Sequence, residues 1–180
     1  MHDDESIIQG CRENDRLAQQ ELFLRYGRKM LGYCLRYSPN SDDANDLLQD
    51  GFLKVFDNIG SYKGDSPLHS WMARIFINLA ITKYRRASAG PKFVDVENSD
   101  IADSSESDNQ VEKHDLDTVI GAIQQLPERY RLVINMYAID KMGHRDIADQ
   151  LGITEGTSKS QLSRARQMLK ELLDNKKTKN

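Results

Sequence analysis

Residues 143–173 read GHRDIADQLGITEGTSKSQLSRARQMLKELL, and the fold class turns on this stretch. Ala148 stands where two short helices must cross closely, Gly152 supplies the left-handed backbone of a tight turn, and Thr154 is placed to cap the next helix. The spacing predicts a helix-turn-helix from His144 to Ser163. On its second helix Leu162, Ala165, Leu169 and Leu172 fall on the inner side. That leaves Thr157, Ser160, Gln161, Arg164 and Gln167 facing outward toward a major groove, flanked by Lys159 and Arg166. The plainer alternative is an amphipathic hairpin with a solvated basic face, since short motifs of this kind produce false positives.

A DNA-binding element sits oddly in an acidic chain, because 25 Lys and Arg stand against 28 Asp and Glu in 180 residues, and a polyanion repels net negative charge. The charge is segregated. Residues 1–88 hold 12 basic and 12 acidic side chains, residues 89–117 hold 2 and 9, and residues 118–180 hold 11 and 7, so the three segments carry 0, −7 and +4. The middle segment, AGPKFVDVENSDIADSSESDNQVEKHDLD, is rich in Ser, Asp, Asn and Glu and has no sustained period, which predicts a flexible acidic linker. Two modules flank it.

In the first module Leu22, Tyr26, Met30, Cys34 and Tyr37 recur at helical spacing, with Ala18 and Phe23 on or beside that face. After the SPNS break, Ser41 is expected to cap a new helix whose first turn carries Asp42 and Asp43. Its apolar stripe runs through Ala44, Leu47, Leu48, Phe52, Val55, Phe56 and Ile59. GSYKGDSP forms a loop, Ser66 and Pro67 open a third long helix, and a short helix over Glu5 to Glu13 precedes the others. Trp71, Phe76 and Leu79 read as core, and Tyr84 closes the bundle. The second module begins near Thr118, with Pro127 and Gly143 as helix boundaries. With no period-two alternation anywhere, the chain reads as all-α, and four short helices cannot enclose a large catalytic cavity. A binding protein is expected rather than an enzyme.

No window reaches the 18 or so apolar residues of a membrane span, so membrane insertion is not expected. The acidic N-terminus is unlike a secretory signal, and Cys11 and Cys34 lack metal-ligand or disulfide spacing, which together place the chain in the cytoplasm. His2, His69, His114 and His144 are scattered, and neither a metal nor a cofactor is called for.

The first module, in DDANDLLQDGFLKVFDNIGSYKGDSPLHSWMARIFINLAITKYRR, carries Asp-Leu-x-Gln-acid-x-Phe and then Gly-Asp-Ser followed by Trp, Arg and Asn. In the second, LPERYRLVINMYAIDKMGHRDIADQLGITEGTSKSQLSRAR follows at the expected separation. In both the chain resembles the extracytoplasmic-function sigma factors, the small specificity subunits of bacterial RNA polymerase. The resemblance implies that residues 1–88 form a region 2 domain, which binds core polymerase and recognises and melts the "−10" element. It implies that residues 118–180 form a region 4 domain that reads the "−35" element. Core RNA polymerase and promoter DNA become the expected partners, and an anti-sigma factor a candidate one.

The same resemblance assigns Asp46, Gln49 and Asp50 to core binding. Tyr62, Lys63 and Asn78 fall to base reading at the melted element, with Lys83, Arg85 and Arg86 on phosphates. Upstream contact falls to Thr157, Lys159, Ser160, Gln161, Arg164 and Arg166. Two departures stand out. Ser158 occupies a position that is usually apolar, so the recognition helix is expected to start loosely. Gln161 replaces a usual basic residue and favours adenine over guanine.

Two other functions compete. DDAND, Asp42 to Asp46, matches the diphosphate-binding DDxxD of helical prenyl-transferring enzymes, but no second acidic motif accompanies it outside the linker. A stand-alone helix-turn-helix regulator with a helical dimerisation module is the other alternative. It has no need of the polar Asp46, Gln49 and Asp50 face.

Overall fold

The computed structural model describes residues 4–87 and 116–177, which divide into two compact units at Lys83 and Tyr84. The acidic linker lies outside the described residues except for its last two, which are helical. Every regular element among the described residues is a helix.

The first unit is built from α1 (Asp4–Arg12), α2 (Arg16–Tyr37), α3 (Ser41–Asn58) and α4 (Leu68–Ala87) as far as Lys83. Asp15 caps α2 by accepting from the Leu17 amide at 2.9 Å. Asn40, rather than Ser41, caps α3. The Asn40 backbone is extended, its side-chain oxygen accepts from the Asp43 amide at 2.8 Å, and its amide group donates to the Asp43 carboxylate at 2.8 Å. Ser41 becomes the first helical residue, because the Asn40 side chain takes the Asp43 amide and is itself held in that pose by the Asp43 carboxylate.

Helix α1 buries Ile7, Ile8 and Cys11 and packs against α2, where Asp4 accepts from Arg25 at 2.9 Å and from the Tyr26 hydroxyl at 2.6 Å. Burial and then this bond to Asp4 push the Tyr26 hydroxyl pKa up to about 12. The α3 stripe appears where the spacing puts it, with Phe56 only half covered. Phe52 is its centre, its ring 4.7 Å from Phe23, 5.9 Å from Phe56 and 5.6 Å edge-on from Phe76 of α4. Phe76 is fully buried, whereas Trp71 and Leu79, read as core from sequence, are half-exposed. Cys34 is buried, which pushes its thiol up to about 12 and leaves it unreactive.

Gly51 sits where α3 meets Phe76, and a Cβ there would collide with that ring. Because the ring is enclosed on all sides, Gly51→Ala should destabilise the first unit by about 1–3 kcal/mol, measurable as a lowered midpoint in urea unfolding.

The second unit comprises α5 (Leu116–Gln125), α6 (Glu128–Ile134), α7 (His144–Leu151) and α8 (Glu155–Lys177). Helix α5 starts two residues before Thr118, with Asp117 in its first turn. The buried Arg131 donates to the carbonyls of Gln124 (3.1 Å) and Leu126 (2.9 Å), closing the C-terminal end of α5. A π-helical turn, Asn135–Ile139, extends α6 and is closed by the Asp140 amide on the Asn135 carbonyl at 3.0 Å. Leu162 and Ala165 of α8 are buried, and Leu169 and Leu172 lie on the same inner side but are less fully covered. At 23 residues α8 outruns partners of 7 to 10 residues, so its far end cannot be fully covered.

Candidate nucleic-acid and polymerase interface

The helix-turn-helix is built as its residue types require. Gly152 ends α7 at φ +68°, its amide bonded to the Ala148 carbonyl, and Ala148 is buried in the crossing. Thr154 then caps α8, its hydroxyl accepting from the Thr157 amide at 3.0 Å and lying 2.8 Å from the Thr157 hydroxyl. Thr157, Ser160, Gln161 and Arg164 are partly exposed along α8, while Lys159, Arg166 and Gln167 are open. Ser160 donates to the Thr157 carbonyl at 3.0 Å, and Lys159 pairs with Glu155 at 3.0 Å.

Ser158 does not loosen the helix start. It is wholly buried, and its hydroxyl lies 2.9 Å from Nδ1 of His144, the first residue of α7. The hydrogen bond supplies what an apolar side chain would have supplied by packing. His144, assigned no chemistry from sequence, also stacks on Tyr137 at 4.6 Å and 22°, and the Arg166 guanidinium lies 5.6 Å from that same tyrosine ring. Burial lowers the His144 pKa below its ordinary 6.5. Lys159 and Arg166 add to the lowering, and Glu155 opposes it.

On α3, Asp46, Gln49 and Asp50 are exposed on one face, and Leu53, a turn further on, joins them at 63% exposure. The acidic DDAND run starts the same helix, where Asp43 is engaged in the cap. Asp50 Oδ2 lies 2.7 Å from Lys83 Nζ on α4, so two residues assigned to different partners are brought together.

The loop before α4 places Tyr62 half-buried and Lys63 exposed. The Tyr62 hydroxyl donates to the Ser66 carbonyl at 2.6 Å and its ring lies 5.4 Å from Trp71. Its own carbonyl accepts from Arg12 of α1 at 2.7 Å, a contact no local sequence signal foretells. Gly64, at φ +83°, lets this loop turn. Asn78 is exposed one helical face away from the core, its carbonyl accepting from Thr82, and Arg85 and Arg86 are exposed in the last turn of α4.

No helix among the described residues is long and apolar enough to cross a membrane. Residues 22–90 match the Sigma-70 region 2 family and residues 116–169 the Sigma-70, region 4 family. The chain is 33% identical over 172 residues to the ECF RNA polymerase sigma factor SigM of Mycobacterium tuberculosis, covering 94% of this chain and 84% of that one. It is 27% identical over 180 residues to the RNA polymerase sigma-H factor of Pseudomonas aeruginosa, covering 94% and 93%. Among solved structures, the sigma factor RpoE of Bartonella quintana, crystallised with the anti-sigma factor NepR, is similar at a TM-score of 0.51 and 26% identity. That likeness covers 86% of this chain and 96% of that one.

Proposed function

The chain belongs to the extracytoplasmic-function sigma factors, and from this premise we propose how its two units divide the work of promoter-specific initiation. Residues 1–88 engage core RNA polymerase through Asp46, Gln49 and Asp50 and read the "−10" element through Tyr62, Lys63 and Asn78. Lys83, Arg85 and Arg86 take phosphates there. Residues 118–180 read the "−35" element through Thr157, Lys159, Ser160, Gln161, Arg164 and Arg166. Base reading at the first element needs an unstacked strand, which is why a loop aromatic and an exposed amide serve it. At the second, an exposed helix face enters the major groove of intact duplex. The acidic segment 89–117 joins the two, the chain works in the cytoplasm alongside the polymerase, and an anti-sigma factor is the class of regulator it would meet.

The observation that carries this reading is the coexistence in one chain of a helix-turn-helix whose turn is closed by Gly152 and Thr154 and an exposed polar face on α3 that the α3 core leaves free. A gel shift tests it. Sequence-selective retardation of promoter fragments is expected only when core polymerase is present. Equal retardation by the chain alone would favour a stand-alone regulator instead.

A further inference from the structure

We propose that His144 and Tyr137 are positioning residues that set the recognition helix α8 at the angle needed for base reading, acting through the buried Ser158. This rests on the "−35" reading above and adds the device that holds the reading helix. Its geometry links three elements. Tyr137 stands on the π-helical turn, His144 opens α7, and Ser158 lies one residue from Thr157 and Lys159 on α8. Gly152 and Thr154 join α7 to α8 by a turn, but a turn fixes a connection more firmly than an angle. His144 crosses from α7 to α8 near the start of the reading face, and its ring stacks on Tyr137. With Ser158 wholly buried, losing His144 would leave its hydroxyl without that partner, so the two helices have one favoured setting.

The groups around the ring make the clamp sensitive to acid. The π-helical turn presents the Tyr137 ring, α7 carries Arg145 beside His144, and α8 presents Glu155, Lys159 and Arg166. Glu155, paired with Lys159 at 3.0 Å, opposes these groups, but desolvation and Lys159 together outweigh it. An imidazolium would be driven toward water by its own desolvation and then by Lys159 and Arg166, which draws Nδ1 away from the Ser158 hydroxyl and breaks that bond. The sign follows from the lowered folded-state pKa. The clamp is complete above the unfolded value of 6.5 and is lost as pH falls through the folded value.

Added positive charge tightens binding to any duplex, so the quantity to measure is a ratio: affinity for the preferred upstream duplex over a scrambled one. Holoenzyme is assembled from the full chain and core polymerase, and the preferred duplex is selected from a randomised pool. As pH falls from about 7.5 through the lowered folded-state value of His144, the wild-type ratio is expected to fall roughly threefold, the scale of one hydrogen bond. In His144→Phe/Ser158→Val, where an apolar contact replaces the polar one, the ratio should equal wild type at the higher pH and stay flat. Ser158→Val alone or His144→Phe alone should lower it at both ends of that range. A wild-type ratio that does not change with pH, or a double variant that follows the wild-type fall, overturns the clamp alone. Absence of any preferred duplex at the higher pH would overturn the "−35" assignment and the clamp with it.

Discussion

Replacing Asp50 with arginine is expected to lower affinity for core polymerase by roughly tenfold or more, because like charge brought into an interface designed for a carboxylate costs several kcal/mol. Asp46, Gln49, Asp50 and Leu53 share one exposed face of α3, and on the proposed interface the polar residues would supply direction and the leucine an apolar anchor. Gln49→Ala removes hydrogen bonds without adding repulsion and should weaken binding less. The ion pair between Asp50 and Lys83 offers a second route to the same loss, since an arginine at position 50 would also repel Lys83. The charge swap Asp50→Lys/Lys83→Asp separates the two. It rebuilds the pair, so binding returns if Asp50 acts only by holding Lys83 and stays low if Asp50 meets polymerase directly. A pull-down in which Asp50→Arg keeps wild-type affinity, with unchanged circular dichroism, removes Asp50 from the interface. The pair is half-exposed on both sides, so its own contribution to stability is small and should not confuse the comparison.

How far such sites could be seen in the sequence depends on whether their causes are local. Gly152 and Thr154 were legible because a left-handed turn and a helix N-terminus each select residue types one position at a time. The cap of α3 falls on Asn40 and not on the equally suitable Ser41, and only the exchange with Asp43 decides between them. Helical spacing places the α3 stripe and the inner side of α8, yet it cannot show that α8 outruns its partners and covers Leu169 and Leu172 less fully than Leu162 and Ala165. The His144–Ser158 bond joins residues 14 apart through a tertiary crossing, so each looked like a defect or an idle polar residue on its own. The same holds for Gly51 under Phe76, Arg131 over the end of α5, and Arg12 on the Tyr62 carbonyl. Of the proposed contact residues, the exposed faces were legible and the internal partners of Tyr62, Asp50 and Lys83 were not.

Those partners sharpen the prediction for promoter melting. Alanine at Tyr62 is expected to reduce open-complex formation roughly tenfold or more, the scale of losing an aromatic surface from one unstacked base, while leaving core binding unchanged. Asn78→Ala should act in the same direction through lost base-edge hydrogen bonds. Tyr62 also shapes its own loop, because its hydroxyl holds the Ser66 carbonyl and its ring leans on Trp71, so Tyr62→Ala alone cannot separate reading from scaffolding. Tyr62→Phe can. It keeps the ring and loses the 2.6 Å hydroxyl bond, and should retain most of the melting if the ring face is what meets the base. Arg12→Gln tests the scaffold from the other side, since it weakens the grip on the loop carbonyl without touching the aromatic surface. Permanganate reactivity of unpaired thymines reads the outcome, with a template carrying a pre-formed bubble as the companion. Tyr62→Ala should remain weaker than wild type in binding the bubble template, because the base it would hold is already unstacked there. Full recovery on the bubble would assign Tyr62 to opening the duplex rather than to holding the base. Unchanged permanganate reactivity in both Tyr62→Ala and Asn78→Ala would leave the loop as a connector, with its hydrogen bonds serving only the fold.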